Sequence, residues 1–401
     1  MPHRTPDPRL ILACGAAILA ISLGVRHGFG LFLQPISAEY GWPREVYAFA
    51  LAIQNLVWGV ATPFTGMIAD RWGAGRAIVG GAIFYTAGLA LMAVSTTGLA
   101  MTATAGVMIG LGLAGTSFSV VFGAVGRAFP AEKRSLAMGV SSAVGSFGQF
   151  AMVPGTLGLM EGLGWAGALV AMGGVAAIMA PLAWAVSDSP RGHGASMPLP
   201  PVKALAEAAR QKSFWLLSFG YFVCGFQVVF IGIHLPTYLL DRGMDLKVGT
   251  TVLALVGLFN IVGTYSAGWL GQRMSKPVLL AAIYGLRSVA IIVFLMVPLS
   301  TWSAYVFGIA MGLLWLSTVP LTTGVVATMF GVGNLAMLGG VVFLSHQLGS
   351  FAGGWMGGYL YDTTGSYDVV WMCAIALGFM AFLLNLPIRE RPVARLAAEA
   401  A

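Results

Sequence analysis

Arg26 falls near the middle of an apolar run that extends from about Leu10 to Ile36. The run is long enough to cross a bilayer, because roughly 20 residues span the hydrocarbon core. Arg26 lies about 16 residues, or roughly 24 Å along a helix, from its start. On insertion scales a mid-membrane arginine costs about 2.5–3.5 kcal/mol, and such residues usually face a bundle interior or a watery cavity. The chemistry open to it is to hold an anion, and a bidentate Arg–carboxylate contact suits a small organic acid. The bland alternative is an arginine that caps neighbouring carbonyls inside a bundle.

The sign of the interior charge is the main clue. Arg287 is the second charged residue inside an apolar run, and no Asp or Glu falls in the middle of any run. Two arginines without an interior carboxylate make a positive field in low dielectric, where an anionic guest would be held strongly. Arg287 could reach inward or bind a helix end. His27, His234 and His346 are the interior side chains whose type titrates near neutral pH, so a proton-coupled mechanism would need one of them or the substrate's own carboxyl. Gln54, Asn55, Thr116, Ser117, Gln227, Asn260 and Thr318 could add polar contacts, and Trp315 an apolar wall. Each of these also has a plain role, since such residues link membrane helices to one another. Nothing resembles a nucleotide loop, a metal cluster or a catalytic triad, so neither cofactor nor enzymatic activity is expected.

Composition sets the class. Hydrophobic residues make up 58% of 401 and charged residues 9%, against about 25% charged in a soluble domain. The mean hydropathy is +0.86. The chain is therefore expected to be an all-α membrane protein. Cys14, Cys224 and Cys373 lie in apolar runs without paired spacing and read as small core residues.

Apolar runs against polar punctuation predict twelve spans, at about 10–36, 45–69, 76–96, 98–126, 135–158, 165–186, 213–239, 249–271, 277–299, 301–326, 335–358 and 368–388. The first is too long for a cleavable signal and is expected to stay as a span. With the N-terminus inside, sixteen of the 21 Lys and Arg fall in inner segments and three in outer loops. By the positive-inside rule both termini are then cytoplasmic. The net charge of +7 is thus topology and not nucleic-acid binding. Residues 187–212 read as a cytoplasmic linker with an amphipathic segment from Lys203, dividing an N-terminal six-helix bundle (1–186) from a C-terminal one (213–401).

The halves repeat. Pro35 matches Pro236 at an offset of 201, as Thr116-Ser117 matches Ser317-Thr318; Gly66-x-x-x-Asp70-Arg71 matches Gly268-x-x-x-Gln272-Arg273 at 202. Gly145-Ser146-Phe147 recurs as Gly349-Ser350-Phe351 at 204. Gln227 is the repeat partner of Arg26. Parallel halves with a substrate site between them near the midplane are what such a repeat implies.

With these residues placed, the chain resembles the major facilitator superfamily of transporters over nearly its whole length. The turn Gly66-Met67-Ile68-Ala69-Asp70-Arg71-Trp72-Gly73-Ala74-Gly75-Arg76 resembles that superfamily's cytoplasmic gating motif, with Gly75 at a usual basic position. The resemblance implies gating roles for Asp70, Arg71, Arg76 and the repeat-matched Arg273. Phe129-Pro130-Ala131-Glu132-Lys133-Arg134-Ser135-Leu136-Ala137-Met138-Gly139 is similar to the monocarboxylate and oxalate–formate branch, and Arg26 to Phe32 to the first span of its bacterial members. Span 8 lacks the charges of that branch, and span 11 offers only His346. The resemblance implies a monomeric carrier in a bacterial inner membrane, moving a small organic anion by proton symport or anion exchange. A multidrug efflux transporter for apolar compounds is the rival reading, on 20 Met and 23 Phe. A transporter-like sensor or lipid-handling protein is a second rival.

Overall fold

The computed structural model describes residues 7–42, 44–186 and 198–400. The first part of the expected linker, 187–197, lies outside the described residues. Every regular element among the described residues is a helix. Eleven helical segments are long and apolar enough to cross a membrane. One of them, Ala131–Ala185, has 55 residues. At 1.5 Å per residue it would be roughly 80 Å long, against a hydrocarbon core of about 30 Å. It breaks at Gly164, where φ is 69° and ψ is 173°, a region essentially reserved for glycine. The segment therefore makes two crossings, and the expected twelve spans are present.

We number them in chain order. Span 1 is Pro8–Phe32, span 2 Phe49–Trp72, span 3 Ala74–Met92 and span 4 Gly98–Ala128; spans 5 and 6 are the two arms of Ala131–Ala185. Span 7 is Lys212–Pro236, span 8 Lys247–Leu270, span 9 Lys276–Met296, span 10 Thr301–Phe330, span 11 Leu335–Tyr361 and span 12 Asp368–Asn385. The chain divides into two compact units. Unit 1 holds Met1–Ala131, Val144–Ala204 and Gly331–Val341; unit 2 holds Glu132–Ala143, Leu205–Phe330 and Val342–Ala401. Each unit so takes one short segment from the other half of the sequence.

The repeat is visible as packing inside each unit. In unit 1, a Cβ placed on Gly148 would lie 2.2 Å from the Ala20 carbonyl oxygen; in unit 2, one on Gly349 would lie 1.9 Å from that of Phe222. Spans 1 and 5, and likewise spans 7 and 11, approach backbone to backbone, as small residues permit in a membrane. Gly148 and Gly349 are 201 residues apart, the offset of the other matches. This register replaces the Gly-Ser-Phe match at 204.

Three spans are interrupted. Span 1 is α-helical over Pro8–His27, turns to a 3-10 helix over Gly28–Phe32 and restarts as a helix over Leu33–Tyr40. Pro35 sits in the first turn of that last piece, where its missing N–H costs nothing. Span 4 breaks between helices Ile109–Gly115 and Phe118–Ala128, and span 10 between Thr301–Leu314 and Thr318–Phe330. The repeat-matched pairs Thr116-Ser117 and Ser317-Thr318 thus mark a broken helix at the same place in both halves.

The glycine contacts can be tested directly. Overpacking a tight site typically costs about 1–3 kcal/mol. Gly148→Ala and Gly349→Ala should each lower the thermal midpoint of the detergent-solubilised protein by several degrees. Gly155→Ala, where an added Cβ meets nothing within 4 Å, should not.

Candidate functional site

Arg26 lies in the last turn of the helix Pro8–His27. Cations are favoured at that carbonyl end, which offsets part of the cost of placing a charge there. The residue is half-buried. Its Nη2 donates to Asn55 Oδ1 at 2.6 Å, and Asn55 Nδ2 donates in turn to the Leu51 carbonyl at 3.2 Å. The guanidinium also lies 5.5 Å from the centre of the Trp58 ring, a cation–π distance. Arg26 Nε is buried with no hydrogen-bond partner. Tyr47 and Tyr85 are within electrostatic reach and brace the site from behind. Their hydroxyls donate to the Phe29 and Ser22 carbonyls at 2.8 and 2.9 Å. Asn55 and Trp58, both of span 2, thus lie beside Arg26. Gln54, one residue away, turns elsewhere: it is fully buried and donates to the Ala105 carbonyl at 2.7 Å. His27 is exposed.

Thr116 and Ser117 are buried at the break in span 4 and satisfy its backbone. Thr116 Oγ1 donates to Gly112 O at 3.0 Å and lies 2.7 Å from Ser22 Oγ; Ser117 Oγ donates to Ala114 O at 3.1 Å. Thr65, from span 2, reaches the same Ala114 carbonyl at 2.9 Å. Exposed carbonyls at membrane depth cost several kcal/mol each unless paired, so these hydroxyls hold the break.

The break in span 10 uses stronger groups. Arg287 is 0% exposed. Its Nε donates to Leu314 O at 3.0 Å, and its Nη2 to Leu314 O at 2.5 Å and to the Trp315 carbonyl. Gln227 Oε1 accepts from Arg287 Nη1 at 3.5 Å, while Gln227 Nε2 donates to Ala374 O at 2.9 Å. Asn260 Oδ1 accepts from the Leu316 amide at 2.9 Å, and Ser317 Oγ donates to Leu313 O at 2.7 Å. Of the two roles open to Arg287, the geometry gives the helix end. Gln227, considered for substrate contact, divides its amide between the Arg287 guanidinium and the Ala374 carbonyl, and Asn260 gives its Oδ1 to the Leu316 amide. Trp315 is buried beside them. His234 Nε2 lies 3.0 Å from Gly354 O, and Thr318 Oγ1 3.3 Å from Cys224 Sγ. His346 is nearly buried, with its ring stacked on Phe343.

Asp70 stands apart from the other described acids by its burial. It is 1% exposed. Arg127 Nη1 donates to Oδ1 at 2.8 Å, as does the Ala336 amide at 3.1 Å, and the Met337 amide donates to Oδ2 at 2.8 Å. A carboxylate here caps the start of span 11, where the helix presents unpaired N–H groups and the positive end of its dipole. Gly66, one turn earlier, leaves no room for a side chain: a Cβ would lie 2.4 Å from the Ala336 carbonyl. All of these residues belong to unit 1. Arg71 and Arg76, given gating roles beside it, are exposed; the ionic partner of Asp70 is Arg127. Its signal in the sequence was a basic residue in the last turn of span 4. In unit 2, Arg273 lies over the Trp269 ring at 3.8 Å, and Gln272 Nε2 donates to Glu132 O at 2.6 Å.

Two consequences can be measured. Breaking a buried charge pair costs about 3–5 kcal/mol. Asp70→Ala should therefore abolish the slow amide hydrogen exchange of a peptide covering 331–341, and Arg71→Ala should leave it intact. Losing a partner costs a buried polar group about 1–3 kcal/mol. Arg287→Ala orphans two carbonyls and should strongly lower the yield of monodisperse protein, whereas Arg26→Ala, at a half-exposed site, should not.

The family model for the Major Facilitator Superfamily matches residues 12–321. The uncharacterized MFS-type transporter YcxA of Bacillus subtilis is 24% identical over 393 residues, covering 92% of each chain. Monocarboxylate transporter 11 of Homo sapiens is 25% identical over 387 residues, covering 92% of this chain and 80% of the relative. Among solved structures, the Escherichia coli fucose:proton symporter FucP superposes with a TM-score of 0.74 at 13% identity, over 93% of this chain and 97% of that one. The human organic anion transporter MFSD10 (TETRAN) superposes with a TM-score of 0.71 at 16% identity, over 95% and 100%. At these identities the superpositions speak for the fold alone. With its twelve spans, its repeated halves and a family match over residues 12–321, the chain belongs to the Major Facilitator Superfamily, a family of membrane transporters and not of enzymes.

Proposed function

We propose that this protein is a secondary transporter of a small organic anion, a monocarboxylate or short dicarboxylate, working by alternating access. The observation that carries the reading is Arg26: a half-buried guanidinium in a membrane span, with one polar atom buried and unpartnered and an aromatic face beside it. The other arginine placed away from the ends of a span, Arg287, is committed to backbone, and Arg127, at the end of span 4, is paired with Asp70. Arg26 is thus the cation available to a carboxylate, with Asn55 orienting it and Trp58 walling it. The relatives named monocarboxylate transporters support the substrate class. Asp70 and Arg127 would hold the start of span 11 in one of the alternating states and release it in the other. We place the carrier in a bacterial inner membrane with both termini cytoplasmic, on the distribution of Lys and Arg, and read it as a monomer that exchanges anions or couples them to protons.

Proteoliposome uptake, with about thirty organic anions competing against one labelled acid, tests this. Truncating one partner of a buried charge pair costs about 2–5 kcal/mol, so Arg26→Ala should weaken anion affinity by roughly thirtyfold or more. Arg26→Lys, which keeps charge but loses the bidentate fork, should fall between. Carboxylate flux indifferent to Arg26→Ala in folded protein, or flux of apolar compounds in its stead, would sink the assignment.

A further inference from the structure

The mechanism above leaves unused a group of polar side chains buried in unit 2. From span 7 come Tyr221 and Cys224, from span 9 Tyr284 and Arg287, from span 10 Thr318 and from span 11 His346. Cys224 is 0% exposed and His346 8%. The Cys224 thiol lies 3.3 Å from Thr318 Oγ1 and within hydrogen-bonding reach of His346, with Arg287 in electrostatic range. The imidazole is held between two rings, 4.8 Å from Tyr221 and 5.4 Å from Phe343. One polar atom of the group, His346 Nδ1, is buried and has no hydrogen-bond partner.

That pattern separates His346 from the other interior histidines. His234 spends Nε2 on the Gly354 carbonyl, and its ring is pinned by Gly357, where a Cβ would lie 2.3 Å away. His27 is exposed. A neutral imidazole carries one donor and one acceptor nitrogen, and leaving either buried and unpaired costs about 1–3 kcal/mol. A core histidine retained only for packing would have both nitrogens matched. His346 instead keeps an open nitrogen beside a thiol that can give or take a hydrogen bond.

We propose that His346, with the Cys224 thiol beside it, is a proton-binding site that serves as the coupling site of the carrier. The proton adds to the ring's open lone pair, making an imidazolium, and leaves from the same nitrogen; no other bond is made or broken. Arg287, in electrostatic range of the Cys224 thiol, is the charged group of the cluster, so loading the site adds a second positive charge to it, and like charges repel strongly in low dielectric. An anion bound to the protein relieves that cost, which ties proton loading to anion loading and favours symport over exchange. The use of the proton rests on the organic-anion reading; its binding does not.

The test begins without substrate. Wild-type protein in nanodiscs is examined by infrared difference spectroscopy between about pH 5 and pH 8, the range that brackets histidine titration. The S–H stretching band of Cys224 is assigned by its loss in Cys224→Ala. It should shift on acidification in the wild type and stay fixed in His346→Gln, and also in His346→Asn should the first variant fold poorly. A band that ignores pH in the wild type, or that still responds without His346, overturns the proposal. A second arm uses radiolabelled lactate, oxalate and succinate in proteoliposomes. For any of them carried, an inward acid gradient should accelerate uptake in the wild type, and that acceleration should be lost in His346→Gln. Persistence of the acceleration overturns the coupling role. If none of the three is carried, the organic-anion reading suffers, while the infrared arm still decides whether His346 binds the proton.

Discussion

The constraint on which the rest of this molecule depends is that no backbone carbonyl can be left bare at membrane depth. Two spans, the fourth and the tenth, are nonetheless broken there. Each break frees carbonyls that lipid cannot hydrate, at several kcal/mol apiece. The polar residues of the interior are distributed accordingly. Thr65, Thr116 and Ser117 serve the first break, and Arg287, Asn260 and Ser317 the second. Several of the residues that look in the sequence like a polar lining, Thr116, Ser117, Asn260 and Arg287, are spent on holding broken helices together. Transporters use such helix discontinuities around their sites.

The same accounting divides the two interior arginines. Both sit in apolar spans, and hydropathy does not say which of them is spent on backbone. Arg287 has three donors matched to carbonyls and is fully buried. Arg26 has one donor on a side-chain amide, one buried donor without a partner and a face on an indole. A saturated arginine is structural because any guest would have to displace backbone bonds that water cannot replace. An unsaturated one keeps a donor that a guest could take without displacing backbone bonds.

Much of the fold was legible in the residues themselves. Length, apolar runs and punctuation yield twelve spans because the bilayer imposes one element length and one element type. The repeat was legible too, though Gly-Ser-Phe suggested an offset of 204 where the glycine contacts follow 201: three identical residues weigh less than one pair of backbones that must touch. The site was less legible. Arg26 could be singled out because a charge in an apolar run is conspicuous, whereas Asn55 reads only as one polar residue among several. Arg127, Tyr47 and Tyr85 could not, since a basic residue at a helix end and a tyrosine in a span are ordinary until their partners are known. The partner of Asp70 lies 57 residues away, and no local pattern reports a contact of that separation.

The turn that repeats between the halves shows how one backbone geometry can carry two strengths. In both copies a glycine allows close approach: Gly66 against the Ala336 carbonyl, Gly268 against the Cα of Gly139 at 2.6 Å for a built Cβ. Four residues later the copies diverge. Asp70 brings a buried charge to two helix amides and a guanidinium, whereas Gln272 brings a neutral amide to one carbonyl. A neutral hydrogen bond is worth about 0.5–1.5 kcal/mol net, and a buried ionic contact costs about 3–5 kcal/mol to break. The first turn therefore holds its helix far more firmly than the second holds the start of span 5. A symmetric scaffold has been given an asymmetric lock, and the residue that makes the difference is the single carboxylate at position 70.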